Sequence, residues 1–305
     1  MVFIDKKMPK LLVDIREYFA NQGVKEVKTP CMVSFPSVEP SLANFPVQCS
    51  GSTRYLRTSP ESALKQIVCA EMSDIYEVGP VFRPDEIGKY HLPEFTMLEW
   101  YKVGKDYQEL IQDIKEFLQH VGFIGDISVT TYHDLFCTTF GVNPHIVETE
   151  KLRVLAKNIG FISNDQLVDR ELFLNILTAY MTDTKLRGTA AVFVYDYPVE
   201  LRCYSKLSKV DNPVAERFEL FIDGLEIANG YQEILSVTEQ RRCFEEENII
   251  RERRGLAKSE IDIEWLESLK LSRLQKLSGV ALGVERLLMK LSDIDDIRLL
   301  TPSWP

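Results

Sequence analysis

The stretch that decides the fold is residues 74–101, DIYEVGPVFRPDEIGKYHLPEFTMLEWY. Its first part, residues 75–83, and its last part, residues 94–101, are rich in the β-branched and aromatic residues that favour strands. The segment between them is polar and is predicted to form a loop. The pattern therefore predicts a β-hairpin whose loop presents charged and polar side chains, namely Arg83, Asp85, Glu86, Lys89 and His91.

The second predicted strand, residues 94–101, can be assigned face by face, because successive side chains of a strand point to opposite sides of the sheet. One side carries an aromatic ring, a carboxylate and a phenol, with an arginine at the mouth of the loop. This mixture is unusual for a core strand and favours a binding surface, although a hairpin with one solvated face remains an alternative. The residues on that side are Phe95, Met97, Glu99 and Tyr101.

Composition limits the classes of function. The chain has 305 residues and a net charge of −10, which argues against broad sequence-independent nucleic-acid binding, because such binding depends on Lys and Arg. Its six cysteines are scattered without a CxxC pair, as expected for reduced thiols in a cytoplasmic protein. No apolar run approaches the ~20 residues of a membrane span. A Walker loop, GxGxxG and HExxH are all absent from the sequence.

Two predicted elements precede the hairpin. Residues 8–22 have the apolar spacing of an amphipathic helix. Residues 24–33 are predicted to form a strand interrupted by Pro30, and because proline lacks a ladder donor that strand should lie at an edge or an interface. Further on, residues 128–190 are predicted to be mainly helical, and they could be an insertion on one catalytic domain spanning residues 1–305.

A helix start is predicted within TSPESALKQIVCA, residues 58–70. Ser59 would cap the helix, Pro60 would take its first position and Glu61 would lie in the positive first turn. Plain helix capping is sufficient to explain this pattern on its own.

A second hairpin is predicted over residues 216–235, ERFELFIDGLEIANGYQEIL, with Asp223-Gly224 as its turn. A two-residue turn would pair Ile222 with Leu225, Phe221 with Glu226, and Glu219 with Ala228. Glu219 and Glu226 would then be diagonal neighbours on one face, roughly 7–8 Å apart. Such a pair suits magnesium, which prefers carboxylate and phosphate oxygens, although two solvated acids remain an alternative.

The strand after this turn carries two more polar residues, Asn229 and Glu233. Simple alternation places them on the face opposite Glu219 and Glu226. If they belong to the same site, the strand must kink, and Gly230 is the predicted position of the bulge.

Near the C-terminal end, LSGVALGVERLLMKL at residues 277–291 predicts a strand, then Gly283, then a helix that begins near Val284. Arg286 would lie in the first turn, where a cation opposes the helix dipole. It should therefore have a partner, and a bound nucleotide would serve, although a surface arginine is the simpler alternative.

Taken in chain order, these segments resemble the three motifs of class II aminoacyl-tRNA synthetases. The helix and strand at 8–33 resemble motif 1, FRPDE with PEFTMLEWY at 82–101 resembles motif 2, and GVERL at 283–287 resembles motif 3. The resemblance implies an α+β fold, in which an antiparallel sheet is flanked by helices. It also implies that the protein binds ATP together with Mg²⁺.

The resemblance also implies roles for individual residues in amino-acid adenylation, which needs cations more than a base. Arg83 would bind the α-phosphate and the substrate carboxylate, Arg286 the distant phosphates, and Glu219 with Glu226 the magnesium ion. Phe95 would stack on adenine, and Gly283 would leave room for the nucleotide. The other ATP-binding positions implied are Asp85, Glu86, His91, Glu226 and Ile227.

Within class II, the resemblance is to the lysyl branch, and it implies an amino-acid pocket. Because a buried cation must be paired with carboxylates, the pocket implies lysine or a lysine-like diamino acid as substrate. The residues implied are Ser59, Pro60, Glu61, Glu99, Tyr101, Asn229 and Glu233.

Motif 1 begins close to residue 1, so the anticodon-binding domain of lysyl-tRNA synthetases is expected to be missing. A lysyl-type core of this kind resembles the elongation factor P–lysine ligase family, which activates (R)-β-lysine with ATP and transfers it to a lysine ε-amine of elongation factor P. The resemblance implies that protein as acceptor, a homodimer and no tRNA binding. A truncated lysyl-tRNA synthetase paralogue that charges a tRNA or another carrier remains open. So does an inactive regulatory paralogue, because Pro84 and Leu92 depart from the family pattern.

Overall fold

The structure of the protein is a computed structural model that describes residues 4–161 and 169–300. The chain divides into two compact units, one formed by Met1–Phe123 with Ile234–Pro305 and the other by Ile124–Glu233. Neither unit contains, within those described ranges, a helix long and apolar enough to span a membrane. The interpretation of residues 1–305 as a single catalytic domain stays a prediction.

The first unit contains two sheets and a set of flanking helices. Its elements are α1 (Ile4–Asn21), β1 (Lys25–Glu26), β2 (Met32–Val33), β3 (Phe45–Cys49), β4 (Ser52–Leu56), α2 (Glu61–Glu71), β5 (Ile75–Phe82), β6 (Glu94–Val103) and α3 (Tyr107–His120). The second unit follows, with β7 (Ile127–Thr131), α4 (Tyr132–Phe140), α5 (Thr149–Asn158), α6 (Arg170–Met181), β8 (Ala191–Tyr197), β9 (Ala215–Ile222) and β10 (Leu225–Gln232). The chain then returns to the first unit with α7 (Val237–Arg253), α8 (Ile263–Leu271), β11 (Leu277–Gly283) and α9 (Val284–Ser292).

The predicted hairpin of residues 74–101 forms the centre of the larger sheet of the first unit, in the order β1-β5-β6-β11. Strands β5 and β6 are antiparallel, with Ile75 opposite Tyr101 and Phe82 opposite Glu94. Strand β11 pairs antiparallel with β6, which places Gly283 opposite Met97. The antiparallel core of the predicted fold is confirmed, and β1 adds a parallel pair with β5.

The single strand predicted for residues 24–33 is wrong. The segment forms two short strands in different sheets: β1 pairs with β5, whereas β2 pairs with β4 in the smaller sheet. The segment between them includes Thr29, whose N–H and hydroxyl both donate to the Glu77 carboxylate, at 3.2 and 2.6 Å, rather than to a neighbouring strand. Pro30 follows and has no N–H to donate.

Helix α2 begins one residue later than predicted. Glu61 is its first residue, and Pro60 is the N-cap rather than the first helical position. The Ser59 hydroxyl still accepts a hydrogen bond from the Glu61 N–H, at 3.0 Å, so it satisfies one of the free donors at the helix start. Helix α3 has the capping box that Asp106 and Glu109 form together.

The second unit pairs its strands in the order β7-β8-β9-β10, with β7 parallel to β8 and the others antiparallel. Helices α4, α5 and α6 cover an apolar core that includes Phe136, Leu174 and Leu177. Residues 128–190 therefore contain helices and most of strand β7, while residues 162–168 lie outside the described residues. Whether this segment is an insertion stays a prediction.

The hairpin of β9 and β10 begins as predicted and then shifts. Leu225 lies opposite Ile222 and Glu226 opposite Phe221, but Ala228 lies opposite Leu220 instead of Glu219. The register shifts between Glu226 and Ala228, so the bulge is at Ile227 and the prediction of a bulge at Gly230 is wrong.

The bulge has a direct consequence for the polar face. Beyond it, Asn229 lies directly opposite Glu219, and directly opposed residues share a face of the sheet. One extra residue in β10 is therefore sufficient to bring Asn229 to the face that already holds Glu219 and Glu226.

Candidate active site

Arg83 is fixed at the mouth of the loop between β5 and β6. Its N–H donates to the Pro93 carbonyl at 2.8 Å, which closes the loop. Its Nε donates to the Thr58 carbonyl at 3.3 Å and its Nη1 to Glu86 at 3.2 Å. The guanidinium lies 5.3 Å from the centre of the Phe95 ring. Arg83 and Phe95, which were both predicted to bind the nucleotide, are therefore neighbours.

Arg286 lies in the first turn of α9, as predicted, and contacts the same loop at another point. Its Nε donates to the Tyr90 carbonyl at 3.1 Å. A Cβ placed on Gly283 would lie 3.7 Å from the Arg286 side chain, so this glycine lies against the arginine. Both arginines thus contact the loop of residues 83–93.

Sequence reasoning missed Glu285, the neighbour of Arg286. Its carboxylate is buried and accepts the Thr96 N–H with both oxygens, at 2.9 and 3.0 Å. Burial raises the pKa of Glu285. This contact connects the start of α9 with the residue after Phe95, and it therefore helps to set the distance between Arg286 and the Phe95 ring. The sequence signal that could have identified Glu285 was the acidic residue within GVERL.

Glu99 is the centre of a buried polar cluster. Its carboxylate accepts the Ser59 hydroxyl at 2.7 Å and the Tyr101 hydroxyl at 2.6 Å, and the residue is 2% exposed. Burial, and then the charge of Glu61, raise the pKa of Glu99 to about 7, while the two hydrogen bonds and Lys65 oppose that rise. The predicted face of β6 thus carries a buried acid cluster joined to the start of α2.

The remaining residues predicted on the loop are less enclosed. Asp85 and His91 are exposed, and a backbone bridge between Gly88 and His91 narrows the loop near its tip. Leu92, one of the two departures from the family pattern, is 2% exposed and belongs to the core. The departure at this position therefore adds apolar packing beneath the loop.

The second unit holds the predicted acid pair. Glu219 accepts the Tyr197 hydroxyl at 2.7 Å through one oxygen and pairs with the Arg217 guanidinium through the other. Burial raises the pKa of Glu219, Arg217 lowers it, and the charge of Glu226 raises it. Because one carboxylate acts on the other, Glu226 lies close enough to share an electrostatic site with Glu219.

Arg217 is the second residue that sequence reasoning missed. Its Nε donates to the Asn229 amide oxygen at 2.9 Å and its Nη1 to the Leu201 carbonyl at 2.6 Å. It therefore links Glu219 to Asn229 across the two strands. The available signal was its position two residues before Glu219, which places both on one face of β9.

The other two residues predicted in this part of the chain are buried. Ile227 is the bulge residue and is 2% exposed. Glu233, 3% exposed, follows β10 and forms a backbone bridge with Ser205.

The acids of the second unit have the chemistry of a partial magnesium site. Among the residues that the structure describes, no three Cys, His, Asp or Glu side chains form a group able to hold a metal ion by themselves. Magnesium commonly takes one or two carboxylates and completes its shell with waters and substrate phosphates. Glu219 and Glu226 fit that kind of site, provided that Glu219 exchanges one of its present contacts.

Comparison with known proteins gives a consistent result along the chain. The family model for class II tRNA synthetases (D, K and N) matches residues 6–302. A protein of Photorhabdus laumondii named elongation factor P–(R)-β-lysine ligase is 36% identical over 302 residues, which cover 94% of this chain and 92% of that protein. Proteins with the same name from Vibrio cholerae and Photobacterium profundum are each 35% identical and cover 93% and 96% of this chain, and 90% and 93% of their own length.

Proposed function

The chain belongs to the class II tRNA synthetase family, and on that basis we propose that it is an AMP-forming ligase for elongation factor P. In the first step, a carboxylate oxygen of (R)-β-lysine or lysine attacks the α-phosphorus of ATP, and pyrophosphate leaves. In the second step, a lysine ε-amine of elongation factor P attacks the acyl carbon of the adenylate. AMP leaves, the nitrogen loses a proton, and an amide bond remains.

The observation that carries this proposal is the buried acid of β6. Glu99, with the hydroxyls of Ser59 and Tyr101 on its two oxygens, is a carboxylate that burial alone disfavours. An ammonium group from the substrate would compensate its charge. Glu61, whose charge acts on Glu99, offers a second carboxylate for the second amine of a diamino acid. The three relatives named above carry β-lysine in their names.

Arg83 supports the chemistry of the first step. Its Nε holds the Thr58 carbonyl, which immediately precedes the Ser59 that bonds Glu99. An arginine at this place is suited to bind both the carboxylate of the bound amino acid and the α-phosphate that it attacks. Positioning and charge stabilisation are sufficient for such a transfer, which needs little help from a protein base.

Further residues are proposed for the nucleotide and its metal ion, and each unit is considered by itself. Phe95 offers a ring for adenine, and Arg286 offers a cation for the distant phosphates. When bound, magnesium would neutralise phosphate charge, and Glu219 with Glu226 would hold it. Asn229 and Glu233 are proposed as further substrate-binding residues, and Asp85, Glu86, His91 and Ile227 as nucleotide contacts.

The acceptor, the assembly and the location are part of the same proposal. Elongation factor P is named as substrate in the relatives that cover most of this chain. We propose that the enzyme works as a homodimer in the cytoplasm and does not use tRNA. Six cysteines are free in the described residues, which fits a reducing compartment.

Exchange of labelled pyrophosphate into ATP tests the first step. The purified chain is incubated with ATP and magnesium, and with one of lysine, (R)-β-lysine or norleucine, which has no side-chain amine. Exchange with a diamino acid and none with norleucine is expected. Absence of exchange with every diamino acid would refute the proposed activity and would favour an inactive regulatory paralogue.

A further inference from the structure

Lys65 is a buried lysine next to the acid cluster of Glu61 and Glu99. It lies one helical turn after Glu61 on α2, its Nζ is 2.6 Å from Glu61 Oε1, and its side chain is 4% exposed. A buried ammonium is rare without a partner. The ion pair with Glu61 explains why Lys65 can be buried. It does not explain why a site proposed to bind the ammonium groups of a substrate already contains an ammonium group of the protein.

The surroundings of Lys65 extend beyond that ion pair. Its Nζ lies 4.6 Å from the centre of the Trp265 ring on α8, which adds a cation–π contact. Its charge lowers the pKa of Glu99, against burial and against the charge of Glu61. Ser59 joins both acids, since its hydroxyl donates to Glu99 and accepts from the Glu61 N–H.

We infer that Lys65 is a positioning residue of the amine-binding pocket, which acts through Glu99 because its ammonium offsets the repulsion between Glu61 and Glu99. This inference rests on the proposed function, because it takes both acids as ligands for the two amines of the substrate. Lys65 itself does not touch the reacting atoms in this account.

The physical reason is the behaviour of two neighbouring carboxylates. Without a nearby cation, such a pair shares a proton, because both cannot ionise together at low cost. A pair that retains a proton offers one negative charge to a diamine that carries two positive charges. A fixed ammonium next to the pair favours the charged form of Glu99, and each acid can then take one amine of the substrate.

The same cation also repels the incoming ammonium groups. Its net effect therefore depends on pH. Where Glu99 is partly protonated, Lys65 favours binding because its charge lowers the pKa of Glu99. Where Glu99 is already charged, only the repulsion remains. Removal of the Lys65 charge should thus weaken binding at low pH and leave it unchanged or stronger at high pH.

Other titratable groups near these acids have ion-pair or hydrogen-bond partners of their own. Glu77 on β5 lies directly opposite Glu99 but is paired with Arg57 at 2.8 Å. Asp262, which caps α8, accepts the Trp265 N–H at 2.9 Å and the Ser62 hydroxyl. Tyr101 donates its hydroxyl to Glu99. These contacts do not involve Lys65, so substitution of Lys65 should leave them in place.

The test compares Lys65→Gln with Lys65→Arg, which keeps the charge. Binding of lysine and of (R)-β-lysine to the full chain is measured by calorimetry between pH 5.5 and pH 8.5, without ATP. When affinity is plotted against pH, it should fall toward low pH, and this fall is the acidic limb of the curve. Lys65→Gln should shift the acidic limb to higher pH by about one unit, the usual size of such an effect. Its affinity at pH 8.5 should equal or exceed that of the wild type, so that the two curves cross. Lys65→Arg should keep the limb at the wild-type pH.

Three results would overturn the inference: an unmoved limb in Lys65→Gln, an equal loss of affinity at every pH, or the same shift in Lys65→Arg. Where Lys65→Gln does not fold, Lys65→Met, which retains an apolar stem next to Trp265, is measured and interpreted in the same way. A wild-type chain that binds neither diamine would refute the proposed function itself. Wild-type binding with an unmoved limb in the variant would refute only the role of Lys65.

Discussion

Replacement of Glu99 by glutamine should make the ligand-free protein more stable while it removes the proposed activity. Glu99 is almost fully buried, and its pKa is raised to about 7 by burial first and by Glu61 second. The folded chain therefore holds the proton of this carboxyl more tightly than the unfolded chain does. For such a group, the contribution to stability is complete below the unfolded pKa and is lost as the pH rises through the folded pKa.

The size of the effect follows from that rise. A pKa that moves from 4.5 to about 7 corresponds, at about 1.4 kcal/mol per pKa unit, to about 3 kcal/mol lost between acidic and mildly alkaline pH. Glutamine has the same shape and carries no charge at any pH. Linkage predicts that the gain in free energy of unfolding from Glu99→Gln is about 2–3 kcal/mol larger at pH 8 than at pH 5.

Glu77→Gln is the matched control for this experiment. Glu77 lies opposite Glu99 across β5 and β6 and is also buried, but it is paired with Arg57, whose side chain is 2% exposed. Loss of the Glu77 charge would leave that buried guanidinium without its carboxylate, at a cost of about 3–5 kcal/mol. The two substitutions change the same functional group at adjacent places and should act in opposite directions.

Urea unfolding at pH 5 and pH 8 measures both variants, and pyrophosphate exchange measures activity. The reasoning predicts a Glu99→Gln protein that is more stable at pH 8 than the wild type and inactive with diamino acids. A variant with no gain at pH 8, or with an equal gain at both pH values, would show that Glu99 does not carry the cost of a buried charge. Full exchange activity would remove Glu99 from the amine pocket.

Three further predictions concern the arginine, the sheet and the metal. Arg83→Ala should abolish pyrophosphate exchange while circular dichroism remains that of the wild type; normal exchange would contradict its proposed role. Gly79→Ala should lower the free energy of unfolding by about 1–3 kcal/mol, because a Cβ there would lie 2.7 Å from Arg57 Nη2. Gly88→Ala, where nothing lies within 4 Å of a Cβ, is the control and should change stability by less than about 0.5 kcal/mol. Chelation of magnesium should stop exchange and leave unfolding unchanged, since Glu219 keeps its protein partners; a fall in stability on chelation would indicate a structural metal instead.

Local sequence patterns were sufficient to predict the two hairpins. The alternation of β6 predicted which side chains share a face with Glu99, and Asp223-Gly224 predicted the turn and the first two pairs of the second hairpin. These signals act over a few residues, so they do not depend on the rest of the fold. The positions of Arg83 on the loop and of Arg286 in the first turn of α9 could be predicted for the same reason.

The features that the sequence did not predict depend on contacts between distant segments. The position of the bulge at Ile227 depends on how β10 pairs with β9. Within β10 itself, Gly230 is the residue that indicates a bulge, and it indicates the wrong position. The partners of Glu77 are Arg57 and Thr29, at sequence separations of 20 and 48 residues. No periodicity within one element could show that this carboxylate is paired with a buried arginine.

The most direct test of the account is the mass of elongation factor P after incubation with this chain, ATP, magnesium and (R)-β-lysine. We expect an added mass of one lysyl group on a single lysine of that protein, dependent on ATP and absent with Arg83→Ala. An unmodified elongation factor P, together with acylation of tRNA in a parallel reaction, would contradict it and would identify the chain as a tRNA-charging synthetase.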